Sequence, residues 1–134
     1  MNEITLYDSN KHMKPWEGKR MELNEYQENA KKTANFHGCM IGSEVSPMSA
    51  QKEAMIYCSL GLAGEAGEVV ENTKKFLRDD NSELTEERKK KFLGELGDVF
   101  WYLANPNTAL GLTLEEVAIY NQYKLQKRYE KRNK

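Results

Sequence analysis

The chain has 134 residues, which fits a single domain. Its 20 Lys and Arg residues nearly balance 21 Asp and Glu residues, for a formal net charge of -1, so it lacks the basic excess typical of nucleic-acid binders. Charged residues make up 31% of the chain. Such polarity predicts helices with one narrow apolar stripe each, or an oligomer whose core is shared between chains.

The sequence contains no run approaching the roughly 20 apolar residues of a membrane span, and its first eight residues form no apolar signal core. The two cysteines, Cys39 and Cys58, are interpreted as reduced thiols. We therefore expect a cytoplasmic protein with no membrane or nucleic-acid partner.

In chain order, residues 1–22 predict an irregular arm and residues 23–134 a helical domain. The first helix is predicted over residues 23–35. Asn24 is the candidate cap, and Gln27 follows it by three residues, as in a capping box.

Glycines and Pro47 after that helix predict a loop over residues 36–46. A second helix should run from about residue 47 to 77, since proline suits a first helical turn. A third should start near Thr85 and end at Gly111.

Pro106 lies inside the third predicted helix, where it removes a backbone donor and clashes with the preceding turn. A kink or break is therefore predicted near residues 104–105. Thr113 and Glu116 form a second capping box, which opens a last helix to about Tyr129. No useful β-alternation is present, so the predicted fold is all-α, a four- to five-helix bundle.

Two acidic pairs stand at i, i+3 spacing, which places each pair on one helix face: Glu65 with Glu68, and Glu95 with Asp98. Both pairs border the apolar stripe of their helix. If the two stripes pack together, four carboxylates border the same seam.

Four such carboxylates repel each other, by about 1 kcal/mol per pair at 4 Å in bulk water and about 4 kcal/mol at an effective dielectric near 20. Protonation, a basic partner or a cation would relieve this. Neither acidic unit contains Lys or Arg, and an all-oxygen site favours magnesium or manganese over zinc. The alternative, two solvated acidic faces, stays open at this point.

Glycines recur every three residues beside the acids, at 61, 64 and 67 and again at 94 and 97. Each costs up to about 1 kcal/mol in a helix interior. The compensation is close approach, either of another helix or of a phosphate ligand, and the sequence does not separate the two.

The segments 60–71 and 95–103 resemble the MazG-like nucleotide pyrophosphohydrolases, whose hallmark is Glu-Glu-x-x-Glu on one helix and Glu-x-x-Asp on the next. The resemblance continues through residues 111–117 and 121–129 and includes the opening residues 23–27, so it covers about residues 23 to 130.

The resemblance implies an all-α, MazG-like bundle that assembles as a homodimer or homotetramer. It also implies hydrolysis of a nucleoside or deoxynucleoside triphosphate to the monophosphate and pyrophosphate, as nucleotide-pool house-cleaning. A Mg²⁺ ion, with Mn²⁺ possible, would bridge phosphate oxygens and help activate water. Its implied ligands are Glu65, Glu68, Glu95 and Asp98.

The resemblance also implies a substrate-facing Tyr102 and an Asn-x-x-Lys pair, Asn121 and Lys124, as nucleotide and phosphate contacts. Gln27 on the first helix is the candidate for base selectivity. Glu65 and Glu68 are the expected catalytic carboxylates.

Two departures from the family pattern matter. The first glutamate of the family's Glu-Glu pair is Gly64 here, which leaves open which carboxylate orients water; we expect Glu65. Pro106 also interrupts a stretch that is smooth helix in the family. The alternative function is therefore a catalytically inactive MazG-like oligomer that acts as a binding or regulatory module. The sequence leaves base, sugar and dimer against tetramer undecided.

Overall fold

The computed structural model describes residue 16, residues 18–34 and residues 47–133, the first three of the last range as backbone only. These residues form four α-helices and no strand: α1 (Leu23–Thr33), α2 (Pro47–Asp79), α3 (Glu86–Leu110) and α4 (Leu114–Arg132). The predicted all-α fold is confirmed for this part of the chain. Most of the predicted arm, the predicted loop 36–46 and Cys39 lie outside the described residues.

Side-chain caps define the starts of α3 and α4. The Thr85 hydroxyl accepts a hydrogen bond from the Arg88 N–H at 3.1 Å, which starts α3 as predicted. The predicted capping box of α4 is confirmed: Thr113 accepts from the Glu116 N–H, and the Glu116 carboxylate accepts from the Thr113 N–H at 2.7 Å.

The predicted capping box of α1 is wrong. Glu22 is the residue at the cap position, and its side chain makes no capping hydrogen bond. Asn24 lies inside the helix, where its amide donates to the Glu115 carboxylate at 3.0 Å. The physical reason is tertiary: this side chain connects α1 to the start of α4 instead of closing its own helix end.

The predicted break at Pro106 is wrong, because α3 runs through it to Leu110, whereas the predicted kink stays a prediction. Proline removes one intrahelical hydrogen bond, but the turn around it is held from both sides. Asn105 is buried and its amide donates to the Trp101 carbonyl at 3.2 Å. On the other side, the Gln51 amide donates to the Ala109 carbonyl at 2.9 Å.

α2 and α3 pack as an antiparallel hairpin. The Gln51 bond joins the beginning of α2 to the end of α3, and a bond from Asn72 to Glu95 joins the end of α2 to the middle of α3. Trp101 packs against both small buried clusters, which centre on Ala104 and Cys58. Its indole N–H donates to the Thr33 hydroxyl at 2.8 Å and so ties α3 to α1.

α4 leaves the hairpin at Gly111, whose left-handed backbone (φ 70°) ends α3. Only Leu114 of this helix is buried, and the residues after it are exposed in the single chain. The four described helices include none with the length and apolar character needed to cross a membrane.

Candidate metal centre

Three of the four predicted metal ligands meet between α2 and α3. Glu65, Glu95 and Asp98 each offer one carboxylate oxygen, and these oxygens lie within 4.8 Å of one another. The antiparallel hairpin produces this meeting, because it sets the middle of α2 against the middle of α3. The seam expected from the two acidic pairs is thus formed inside one chain.

Glu68 stands outside this group. Its side chain is exposed. Its negative charge is the weakest of the causes that raise the pKa of Glu65. A position three residues on from Glu65 lies about 4.5 Å further along α2 and about 60° around it, away from Asp98. Its role as fourth ligand stays a prediction.

The cluster is electrostatically unfavourable without a counter-charge. Burial raises the pKa of Glu65 most, and the negative charges of Asp98, Glu95 and Glu68 raise it further. The pKa of Tyr26 on α1 is also raised, first by burial and then by Asp98, so α1 borders the same group.

The donor set fits a hard divalent cation. All three side chains are carboxylates, and oxygen ligands are those that Mg²⁺ and Mn²⁺ prefer. The ion pairs found in the described residues engage other acids, as in Glu71, which pairs with Lys74 at 2.5 Å.

Glu95 is held by a buried polar chain that the sequence did not reveal. The Asn72 amide donates to Glu95 Oε1 at 3.3 Å, and its carbonyl oxygen accepts from Arg88 Nη1 at 3.1 Å. Arg88 in turn forms a two-point ion pair with Asp80, with Nη2 to Oδ1 at 3.1 Å. The hydrogen bond from Arg88 is the first cause of a lowered pKa at Asp80. Helical spacing places Asn72 on the same face as Glu65 and Glu68, but nothing local marks Asn72 or Arg88 as buried.

Tyr102 lies one turn beyond the acids on α3, four residues after Asp98. Its ring covers Gly61, where an added Cβ would overlap the ring atoms. Close approach of a neighbouring helix therefore explains Gly61, whereas Gly64, Gly67, Gly94 and Gly97 face open space. Burial raises the pKa of Tyr102, followed by Tyr57 and then, more weakly, by Glu65.

A largely apolar cleft of about 500 Å³ opens next to Tyr102, between α2, α3 and α4. Leu62, Tyr102, Pro106 and Asn121 are among its lining residues. Leu62 precedes Glu65 by three residues, about 4.5 Å along the helix axis, so the cleft begins about one turn from the carboxylates.

The remaining predicted substrate contacts have different surroundings. Lys124 is exposed, and its ammonium lies 5.6 Å from the centre of the Tyr120 ring. Gln27 is buried, and its amide donates to Thr108 and to the Leu112 carbonyl. Because Gln27 also accepts the Leu114 N–H at 2.7 Å, it joins α1 to the α3–α4 junction, and its role as a base contact stays a prediction.

An all-helical chain with a carboxylate cluster beside an apolar cleft defines a class: a helical protein with a candidate site for a divalent cation. Comparison with known families narrows that class. Residues 55–133 match the model of the MazG nucleotide pyrophosphohydrolase domain, and the chain belongs to that family.

The chain is also similar to the Gene 37 protein of Mycobacterium phage L5. The two are 40% identical over 79 residues, which is 59% of this chain and 69% of that protein. Among solved structures, no match was found.

Proposed function

We propose that the chain hydrolyses nucleoside or deoxynucleoside triphosphates to the monophosphate and pyrophosphate, with Mg²⁺ as its cofactor and Mn²⁺ as a substitute. The observation that carries the proposal is the meeting of Glu65, Glu95 and Asp98 beside a cleft of about 500 Å³. Membership of the MazG family supports the same reaction. Removal of unwanted nucleotides from the pool is the cellular role that this reaction suits.

In this proposal different residues of the chain bind the metal ion, orient the attacking water and contact the nucleotide. Glu65, Glu95 and Asp98 would hold the cation, with Glu68 as the fourth ligand that we propose. When bound, the cation supplies charge neutralisation to the phosphate oxygens and Lewis acidity toward water. Glu65 orients the attacking water by accepting its hydrogen bond, since Gly64 offers no second carboxylate there.

The cleft takes the nucleoside. Its apolar walls exclude water, while Tyr102 and Asn121 supply polar groups that orient the base and sugar. Lys124 lies about one turn further along α4 than Asn121 and is the phosphate contact that we propose on that helix.

A coupled assay tests the proposal. Purified chain is incubated with each canonical nucleoside triphosphate and Mg²⁺, and released pyrophosphate is converted to phosphate by added pyrophosphatase and measured. We expect Mg²⁺-dependent release that falls about 100-fold or more in Glu65→Gln, because loss of a metal ligand removes several kcal/mol of transition-state stabilisation.

Glu71→Gln is the matched control, since Glu71 lies on the same helix and pairs with Lys74 and Lys75 outside the cluster. It should keep wild-type activity. Equal loss in both variants, or none in Glu65→Gln, contradicts the site. A wild-type chain that binds Mg²⁺ but releases no pyrophosphate from any nucleotide would favour the inactive binding module.

A further inference from the structure

The metal centre has a buried support that extends away from it along α2 and α3. Asn72 and Arg88 expose only 7% and 6% of their surface. Such burial is unusual for polar and charged residues, which are mostly exposed in proteins. No buried side-chain polar atom of the described residues lacks a hydrogen-bond partner. The buried polar groups of Asn72 and Arg88 are therefore fully hydrogen-bonded, each to a defined partner.

The direction of the Asn72 amide follows from its two neighbours. A guanidinium group only donates hydrogen bonds, so the Asn72 oxygen must face Arg88 Nη1. The amide N–H is then left to face Glu95 Oε1, an acceptor. Arg88 thus determines that Asn72 presents a donor, and never a repelling oxygen, to the carboxylate.

Arg88 is itself fixed. Its backbone N–H is held by the Thr85 cap, and its guanidinium is held by the two-point pair with Asp80. Because the planar fork reaches Asp80 and Asn72 together, it connects the turn between α2 and α3 to the acidic cluster.

We propose that Arg88 and Asn72 are positioning residues for metal binding: Arg88 orients the Asn72 amide, and Asn72 holds Glu95 in the rotamer that meets Glu65 and Asp98. The proposal rests on the proposed function of this cluster as a metal centre. A glutamate held in advance loses less side-chain freedom on binding than a free one, so the support raises affinity for the cation.

The test measures metal binding directly on the full chain, by titration with Mn²⁺ and detection of free Mn²⁺ by electron paramagnetic resonance. Asn72→Leu removes both amide hydrogen bonds and keeps the branched shape of the side chain. Arg88→Lys keeps a positive charge opposite Asp80 but lacks the fork that reaches Asn72 at the same time. We expect the Mn²⁺ dissociation constant to rise about 10- to 100-fold in Asn72→Leu and about 10-fold in Arg88→Lys.

Neighbouring exposed residues supply matched controls. Thr73→Val removes a hydrogen bond to the Val69 carbonyl, and Lys89→Met removes an exposed ion pair with Glu86. Both should bind Mn²⁺ within about twofold of wild type. Circular dichroism records the folded fraction of every variant, and if Asn72→Leu does not fold, Arg88→Lys carries the test.

Steady-state kinetics separate positioning from a merely structural role. Positioning predicts a raised apparent KM for Mg²⁺ with kcat largely recovered at saturating metal. A fall in kcat that matches the unfolded fraction, with KM for Mg²⁺ unchanged, overturns the proposal. If wild type binds Mn²⁺ and both variants bind it equally well, this proposal alone fails; if wild type neither binds Mn²⁺ nor releases pyrophosphate, the proposed function fails with it.

Discussion

At the scale of single residues, the chain brings three carboxylates together between α2 and α3, although their mutual repulsion does not stabilise the fold. One carboxylate oxygen of each of Glu65, Glu95 and Asp98 lies within 4.8 Å of the other two, and no described basic side chain pairs with them. The pKa of Glu65 is raised first by burial and then by repulsion from Asp98, Glu95 and Glu68. Such an arrangement is costly without a cation and favourable with one.

Glu65→Gln should therefore stabilise the metal-free chain, by about 1 kcal/mol, because it removes repulsion between charges about 4 Å apart in a largely solvated site. The folded chain binds the Glu65 proton more tightly than the unfolded chain, so wild-type stability falls as pH rises through the carboxylate range. The stabilisation by Glu65→Gln is therefore absent below the ordinary glutamate pKa and complete above the raised pKa of Glu65. Thermal unfolding in EDTA at several pH values measures it.

Added Mg²⁺ should make the wild-type chain more stable than Glu65→Gln, because the ion stabilises the folded state of the protein that binds it. Glu71→Gln again serves as the control, and we expect no gain from it, because its carboxylate has two lysine partners. A metal-free Glu65→Gln chain less stable than wild type would contradict this account of the cluster.

At the scale of elements, the α2–α3 hairpin sets the geometry of the site. One contact along it, the ring of Tyr102 over Gly61, fixes how closely the helices approach. The acids follow one turn further along the same pair of helices. Any change that separates the helices at Gly61 should therefore also disturb the cleft.

Gly61→Ala should destabilise the chain by about 1–3 kcal/mol, because the new methyl group overlaps the Tyr102 ring. Gly64→Ala on the same helix is the matched control: its Cβ meets nothing within 4 Å, and alanine's better helix propensity should add up to about 1 kcal/mol. Urea unfolding of both variants compares them. Equal stabilisation by the two substitutions would mean that Tyr102 does not pack as described.

At the scale of the whole molecule, α4 leaves large apolar side chains in solvent. Ile119, Tyr120, Tyr123 and Tyr129 are each more than half exposed. Exposed apolar surface in a row along one helix is typical of a protein-protein interface. We therefore expect self-association through α4, in line with a core completed by other copies of the chain.

Sedimentation equilibrium should give a mass that is a multiple of 15.5 kDa. Ile119→Glu should weaken self-association about 10-fold or more, because it places a charge in an apolar contact. Gln126→Glu adds the same charge at an exposed polar position of the same helix and should leave the mass unchanged. A monomeric wild type at micromolar concentration would contradict the expectation.

Much of this fold was predictable because its signals are local. The Thr113 capping box, the glycine end of α3 and the spacing of the acids depend on residues within one or two turns of one another. Tertiary contacts were not predictable in this way: Asn24 and Gln27 were assigned to a cap and a substrate, yet they bond to the start of α4. The continuity of α3 through Pro106 likewise depends on distant partners such as Gln51.

The same division holds at the site. Helical spacing singled out Glu65, Glu68, Glu95 and Asp98, since two residues three apart share a face whatever surrounds them. It did not show that Glu68 lies outside the group that the hairpin brings together. Asn72 and Arg88 became visible only when the hairpin brought residues 16 positions apart into one hydrogen bond.

The pairing of α2 with α3 also restricts where the chain can change length. A single residue inserted between Gly61 and Glu65 would rotate everything after it by about 100° and advance it by about 1.5 Å. The Tyr102 contact and the carboxylate cluster could then no longer form together. Insertions and deletions between Gly61 and Glu65 on α2, or between Asp98 and Tyr102 on α3, should therefore abolish either the packing contact or the carboxylate cluster.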